Sequence, residues 1–114
     1  NGWFSHLTTL GGARVGVEFA GTSVTSPGFE SVGLGGLGSS LDGSVVTGTQ
    51  GSGLGLINDL AYADSARRGY LLRSVKADAI TGDYVYVNTV KSNTYTAAVG
   101  KTITVTAGGD ISYA

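Results

Sequence analysis

The chain has 114 residues, of which 41% are hydrophobic and 13% are charged, and its formal net charge is −1. This length allows one modest domain with a limited core and argues against a second domain. The near-neutral charge leaves no basic stripe for a nucleic-acid backbone. The apolar runs are shorter than the roughly 18 to 20 residues of a transmembrane helix, so no transmembrane segment is predicted. Because the chain has no cysteine, disulfides and thiolate chemistry are excluded, although the compartment stays open.

The first predicted element is a short strand over residues 14–20. Val15, Val17 and Phe19 alternate with polar or small residues, which is typical of a strand with one buried face. The Thr/Ser-rich segment that follows ends in Ser26-Pro27-Gly28, whose residue types favour a tight turn.

Residues 33–55 are too rich in glycine for a helix and too irregular for a long strand. They are predicted to form a long loop, and loops of this length are commonly either functional or disordered. A purely solvated linker would not carry repeated leucines. We therefore expect this loop to lie against another surface through Leu34, Leu37, Leu41 and Leu54.

The second half of the chain is predicted to contain one short helix and several strands. Over residues 54–63 the apolar side chains are spaced for one helical face. Residues 69–76 and 78–90 are rich in β-branched and aromatic residues and are interpreted as adjacent antiparallel strands. An isolated glycine within a strand often marks an irregularity, so a bulge is predicted at Thr81-Gly82-Asp83.

The clearest strand covers residues 101–106, where Ile103 and Val105 alternate with three threonines. Turn residues are predicted on both sides of it, at Val99-Gly100 and over residues 108–110. The tail from residue 111 to residue 114 is expected to add a final edge strand.

Little in the chain predicts chemistry of its own. His6 is the single histidine and has no carboxylate near it in sequence, so a structural or surface role is favoured over metal binding. The eight carboxylates are scattered without the spacing of a calcium loop. Asp64 shortly precedes Arg67 and Arg68, and a helix cap or an ion pair would explain it without catalysis.

The best candidates for contact with a substrate are the hydroxyl residues that follow the first strand. Substrate contacts often collect at such a strand end, but turn formation alone would also account for these residue types, which are Thr22, Ser23, Thr25 and Ser26. Arg67 and Arg68 could bind phosphate through their planar forks, although exposed arginines before a strand are common. The glycine-rich run lacks the flanks and the Gly-Lys-Ser/Thr ending of a P-loop.

Two segments resemble the C-terminal part of the PhoD-like alkaline phosphatases, which are secreted metal-dependent phosphomonoesterases and phosphodiesterases. The first runs from Val17-Glu18-Phe19 through Thr22-Ser23-Val24-Thr25-Ser26-Pro27-Gly28, and the second is Tyr62-Ala63-Asp64 followed by Arg68-Gly69-Tyr70. Asn1-Gly2-Trp3 also resembles the continuation of the family's Gly-Asp-x-His metal-binding motif. Many relatives have Asn-Pro-His before the second segment, whereas this chain has Asn58-Asp59-Leu60.

The resemblance implies an α+β, mainly β fold that forms the C-terminal part of a metallophosphatase αββα sandwich. In this interpretation residues 1–32 supply a strand and a cleft-side turn, residues 33–55 form an insertion loop, and residues 56–114 supply the short helix and the terminal strands. Asn1 would lie near the metals and Thr22, Ser23, Thr25 and Ser26 near the cleft. The family's metals, iron and calcium, would be bound by the N-terminal remainder of the protein, with no metal-ligating or catalytic residue in this chain.

Two functional hypotheses follow. The first is a C-terminal fragment of a secreted or periplasmic enzyme that hydrolyses phosphate esters only together with its N-terminal part. The second is a non-enzymatic exported β-rich module, such as a surface-layer or filament subunit, for which low charge and abundant Thr, Gly and Tyr are sufficient. The first predicts that the face of Val15, Val17 and Phe19 contacts an upstream polypeptide, and the second predicts that it is buried within the chain.

Overall fold

The computed structural model describes residues 2–26, 33 and 57–114. These residues form two antiparallel sheets, one with three strands in the order β2-β1-β3 and one with four strands in the order β4-β5-β6-β7. The strands are β1 (Gly2–Thr8), β2 (Arg14–Ala20), β3 (Leu60–Asp64), β4 (Arg68–Val75), β5 (Ala79–Val87), β6 (Ala97–Thr106) and β7 (Ile111–Tyr113). The mainly β character predicted from the sequence is confirmed.

The predicted short helix is wrong over the residues that the structure describes. Ile57 forms an isolated bridge, Asn58 and Asp59 form a turn, and Leu60–Asp64 is a strand paired with β1. A short apolar run fits a helix and a strand equally well, and tertiary pairing decides between them. Here the pairing with β1 buries Leu60 and Ala61. Residues 54–56 lie outside the described part of the chain.

Strand β1 has no counterpart among the predicted elements, yet it is the central strand of its sheet. Phe4 and His6 point towards the second sheet and are buried, whereas Trp3 and Leu7 are exposed. Apolar residues therefore occur on both faces and a polar residue occupies a core position. This distribution removes the alternation by which a half-buried strand is recognised.

The core lies between the two sheets and is dominated by aromatic rings. Phe4, Tyr84 and Ile103 are fully buried, and Ala61 and Tyr86 complete the cluster. Phe4 meets Phe19 edge to face, with 4.8 Å between the ring centroids. Aromatic pairs at such distances stabilise a core beyond the area that they bury.

The face of β2 that was expected to contact an upstream polypeptide is divided. Val17 and Phe19 are partly buried and pack against the core of this chain. Val15, at the same face, is 69% exposed. The leucines of the glycine-rich loop and the turn at Pro27-Gly28 lie outside the described residues.

The predicted strands of the second sheet are confirmed with changed limits. Strands β4 and β5 are adjacent and antiparallel, residues 101–106 lie within β6, and β7 pairs with the end of β6. The turn over residues 108–110 is present, and Gly109 adopts a φ of 88°, which favours glycine. The turn predicted at Val99-Gly100 is wrong, because β6 already begins at Ala97.

The predicted bulge at Gly82 is also wrong. Gly82 pairs regularly with Arg73 and Ile103, and the register shift in β5 falls between Tyr84 and Val85, opposite Gly100. Gly82 is instead required by packing between the sheets. A Cβ atom there would lie 2.5 Å from Cε1 of Phe19, which is closer than van der Waals contact allows.

We therefore expect Gly82→Ala to destabilise the fold, because the added methyl group must displace the Phe19 ring. Overpacking of this kind costs about 1 to 3 kcal/mol in the free energy of unfolding, measurable by urea denaturation. Gly108→Ala is the matched control, because the nearest atom to a Cβ at Gly108 is 4.0 Å away. Equal stability of the two variants would contradict this account of Gly82.

Candidate functional site

One end of the three-stranded sheet gathers residues from distant parts of the sequence. Strand β1 runs antiparallel to both of its neighbours, so its start lies beside the ends of β2 and β3. Gly2 pairs with Asp64, and Trp3 pairs with Ala20. We call this end, defined by Gly2, Ala20 and Asp64, the Gly2 edge. The segments that follow β2 and β3 both leave the sheet here.

Asp64 organises the turn that follows β3. Its side chain is largely buried, and Oδ1 accepts hydrogen bonds from the backbone N–H groups of Ala66 and Arg67 at 3.1 and 2.8 Å. Oδ2 accepts a hydrogen bond from Nε of Arg67 at 2.6 Å, which makes the pair an ion pair. The ion-pair interpretation of Asp64 is thus confirmed. The carboxylate fixes both the backbone of the turn and the direction of the Arg67 side chain.

The guanidinium group of Arg67 is held from a second side by an aromatic ring. Its central carbon lies 3.9 Å from the centroid of Tyr86, a cation–π contact. This approach requires a glycine in β6, since a Cβ at Gly100 would lie 2.6 Å from Cδ2 of Tyr86 and 3.0 Å from Nη1 of Arg67. Desolvation acts to lower the pKa of Arg67, but its contacts with Asp64 outweigh this and the pKa is raised. Arg67 is therefore charged and is held in place by two contacts, and its charge is balanced in part by Asp64.

Beneath Arg67 lies a pair of hydrogen-bonded tyrosines. The hydroxyl groups of Tyr62 and Tyr86 are 2.5 Å apart, and the rings of Tyr62 and Tyr84 lie 5.0 Å apart. Burial is the main cause that raises the pKa of all three tyrosines above the ordinary value. Their hydroxyl groups are therefore neutral at physiological pH and serve as hydrogen-bonding groups, not as nucleophiles.

The hydroxyl segment predicted from the sequence lies beside this turn. Thr22 Oγ1 donates a hydrogen bond to the carbonyl of Arg67 at 3.2 Å, and Arg68 Nη1 donates one to the carbonyl of Thr25 at 3.5 Å. Ser23 and Ser26 contact each other, since the Ser26 N–H donates to Ser23 Oγ at 2.8 Å. The structure thus brings Thr22 and Thr25 into contact with the turn that follows β3, and Ser23 has the turn-forming role considered as the alternative. Asn1 lies outside the described residues.

An open groove of about 390 Å³ borders the same turn. One wall is formed by Ala66, Arg67 and Arg68, and the other by residues 87–91, which include Asn88 and Lys91. Two of the basic residues were identified in the sequence. Lys91 was not, because only the antiparallel pairing of β4 and β5 brings the end of β5 next to the start of β4. The groove therefore combines two planar guanidinium groups with one ammonium group.

His6 lies at some distance from this edge, in the second half of β1. Its side chain is 4% exposed, so the structure supports a buried position and not a surface one. Desolvation and, next, the charge of Arg14 lower the pKa of His6. Among residues 2–26, 33 and 57–114, no three His, Cys, Asp or Glu side chains are grouped so that they could hold a metal ion.

Comparison with known proteins gives no match to a protein-family model, to a curated protein or to a solved structure. The resemblance to the PhoD-like phosphatases thus depends on the short segments quoted above. In the described part of the chain, a search for helices that could cross a membrane finds none.

The buried tyrosines predict a pH dependence. Their pKa values are raised in the folded state, so the folded chain holds these protons more tightly than the unfolded chain does. This stabilisation is fully present below the unfolded pKa of about 10 and is lost as the pH rises above it. We expect the free energy of unfolding, measured in urea, to fall above about pH 10.

Tyr86→Phe should reduce this fall, because it removes one of the protected hydroxyl groups. Tyr95→Phe is the control, since the Tyr95 side chain is 59% exposed. The control should lose stability with pH as the parent chain does. The explanation fails if Tyr86→Phe loses stability just as steeply.

Proposed function

We propose that this chain is the C-terminal part of a secreted PhoD-like phosphatase that hydrolyses phosphate mono- or diesters with a metal centre. The observation that carries the proposal is the contact between the two segments on which the resemblance depends. Arg68, in the second segment, donates a hydrogen bond to the carbonyl of Thr25, in the first, although the two residues are 43 positions apart in sequence. Thr22 donates another to the carbonyl of Arg67, which precedes Arg68. The motifs of an active site are expected to meet in space, and the pairing of β2 and β3 with β1 brings these two segments together.

The position of this contact also supports the proposal. By resemblance, the residue before Asn1 would be a metal-ligating histidine, and Gly2 begins β1 at the edge where both segments leave the sheet. Chain that precedes Gly2 would enter the sheet at this edge. Metal ligands supplied from upstream would then face Thr22, Thr25 and the turn after Asp64.

The charges near this edge suit a phosphate ester. The planar guanidinium group of arginine can donate two parallel hydrogen bonds to phosphate oxygens, and the ammonium group of lysine attracts phosphate as a point charge. Arg67 is already oriented by Asp64 and Tyr86, so binding a substrate would cost it little side-chain freedom. We assign Arg67, Arg68 and Lys91 to binding and orienting the ester, with the hydroxyl segment as the adjacent wall.

The metals of this proposal, iron and calcium by family resemblance, would act as Lewis acids that activate an oxygen nucleophile. The described residues do not form a cluster of ligands for them. By the same resemblance, metal binding is assigned to the N-terminal remainder of the protein, and no step of the reaction is assigned to this chain beyond binding. The departure at Asn58-Asp59-Leu60 lies away from this edge, because Asp59 accepts a hydrogen bond from Thr8 Oγ1, at the opposite end of β1 from Gly2.

A specific observation favours the second hypothesis, a non-enzymatic exported β-rich module. The aromatic core closes between two sheets of this chain, and Val17 and Phe19 pack against it without an upstream polypeptide. The exposed Val15 and the basic groove beside the Gly2 edge have no role in that hypothesis. We therefore keep it as the alternative.

The test uses the longer source polypeptide that contains this chain, assayed with p-nitrophenyl phosphate and bis-p-nitrophenyl phosphate. We expect hydrolysis that a chelator abolishes. Arg68→Gln should lower kcat/KM about 10- to 100-fold, since a hydrogen bond to a charged group is worth about 1.5 to 3 kcal/mol. The loss should appear mainly in KM, because the arginine binds the ester before and during reaction.

Arg73→Gln is the matched control, because Arg73 lies in the middle of β4 and does not line the groove. Chelator-resistant hydrolysis by the 114-residue chain alone would contradict the assignment of the metal ligands. Absence of hydrolysis in the metal-loaded source protein would favour the structural module.

A further inference from the structure

A second groove lies at the opposite end of β2 from the Gly2 edge. The two ends are about 20 Å apart, because β2 has seven residues that each rise about 3.3 Å. It measures about 380 Å³ and separates the start of β2 from the turn between β6 and β7. Arg14 stands on one side, the backbone of Gly108 and Gly109 on the other, and His6 contributes to the lining from β1. Nothing in the proposed phosphatase function uses this groove.

Two buried polar atoms in this region have no hydrogen-bond partner among the described residues. They are Nε2 of His6 and the hydroxyl oxygen of Tyr113. The His6 side chain is 4% exposed, so it is almost entirely removed from solvent. Buried polar groups are nearly always hydrogen-bonded, and each exception calls for an explanation.

The same cation acts on both groups. The charge of Arg14 lowers the pKa of His6, after desolvation and against a smaller opposing effect of Asp59, and it opposes the rise that burial causes in the pKa of Tyr113. Within residues 2–26, 33 and 57–114, the ion pair found is that of Asp64 with Arg67, and Arg14 takes no part in it. A neutral imidazole with its proton on Nε2, a phenol and a guanidinium are all hydrogen-bond donors. Together they suit a ligand that carries negative charge on acceptor oxygens.

Four aliphatic side chains also line the groove. Val15 and Val17 line it from β2, while Val105 and Ile111 line it from the opposite sheet. A bare inorganic anion would leave these side chains without a partner, whereas an aliphatic body attached to the anion would cover them. Small-molecule sites typically combine such apolar walls with a few convergent polar groups.

We propose that this groove binds a small organic carboxylate. Arg14 binds the carboxylate group through its planar fork, and His6 and Tyr113 donate further hydrogen bonds to it. The aliphatic part of the ligand lies between Val15 and Val17 on one side and Val105 and Ile111 on the other. Because the two orphaned atoms are buried and Tyr113 does not line the groove, binding requires side-chain movements, which are common when ligands bind.

The chain contains a single histidine, so the imidazole signals of His6 report on this groove without ambiguity. Butyrate is titrated into the 114-residue chain, and the Cε1–H and Nε2 resonances of His6 are followed by NMR. We expect a saturable shift, accompanied by shifts of the amide signals of residues 105–109. Butanamide, which has the same shape without the charge, should give neither.

Arg14→Gln should weaken butyrate binding about tenfold or more, because it removes a charged hydrogen-bond donor. Arg73→Gln is the matched control and should leave the affinity unchanged. Val15→Ser keeps Arg14 and should weaken butyrate more than acetate, because it removes only the apolar contact. The amide spectrum of each variant shows whether it has kept the fold.

The proposal is overturned if butyrate gives no saturable shift, if butanamide binds equally well, or if Arg14→Gln binds butyrate like the parent chain. Tighter binding of inorganic phosphate than of butyrate would overturn the assignment to organic carboxylates. None of these results depends on ester hydrolysis, so the proposed phosphatase function can fail or succeed independently.

Discussion

Tyr84 is the side chain on which the association of the two sheets depends most. It extends from β5 into the core, where its ring is fully buried, and its hydroxyl group donates a hydrogen bond to the carbonyl of Trp3 in β1, at 2.5 Å. One residue thus supplies apolar area to the core and a directional bond between sheets. Because buried tyrosines normally need a partner for the hydroxyl group, this bond also fixes the position of β1 relative to β5. The Gly2 edge is placed by the same contact.

The groups at the Gly2 edge form a chain of contacts that begins in this core. Tyr84 packs against Tyr62, Tyr62 shares a hydrogen bond with Tyr86, and Tyr86 supports the guanidinium of Arg67. Asp64 holds that guanidinium from the other side. The position of the charge is therefore determined by packing in the interior and not by a flexible surface side chain. Such preorganisation lowers the entropy that is lost when a ligand binds.

Sequence patterns predicted the parts of the fold that depend on local alternation. Residues 14–20 and 101–106 alternate in the way that a half-buried strand requires, and both lie in strands. The patterns failed where a residue's position depends on a distant partner. His6 occupies a core position that its polarity does not suggest, and the run around Leu60 becomes a strand because β1 is available to pair with it.

In the candidate site too, features that depend on neighbouring residues were predictable and features that depend on distant partners were not. The ion pair of Asp64 and the turn chemistry of the hydroxyl segment could be identified from residue types, because both act over a few positions. The tyrosine pair, Lys91 and the groove lined by His6 and Arg14 could not be identified, since each depends on contacts between strands that are distant in sequence. Gly82 was recognised as unusual, but only the neighbouring sheet reveals that the Phe19 ring is the reason.

The glycine opposite the register shift in β5 has a consequence for how the basic groove could change. Gly100 belongs to β6 and does not line that groove, yet the Tyr86 ring and the Arg67 guanidinium both occupy the space that a side chain at this position would fill. Replacing it with a larger residue would displace the cation while leaving its charge intact. A substitution at position 100 could therefore change the size of the ligand that the basic groove accepts, while the groove still attracts anions.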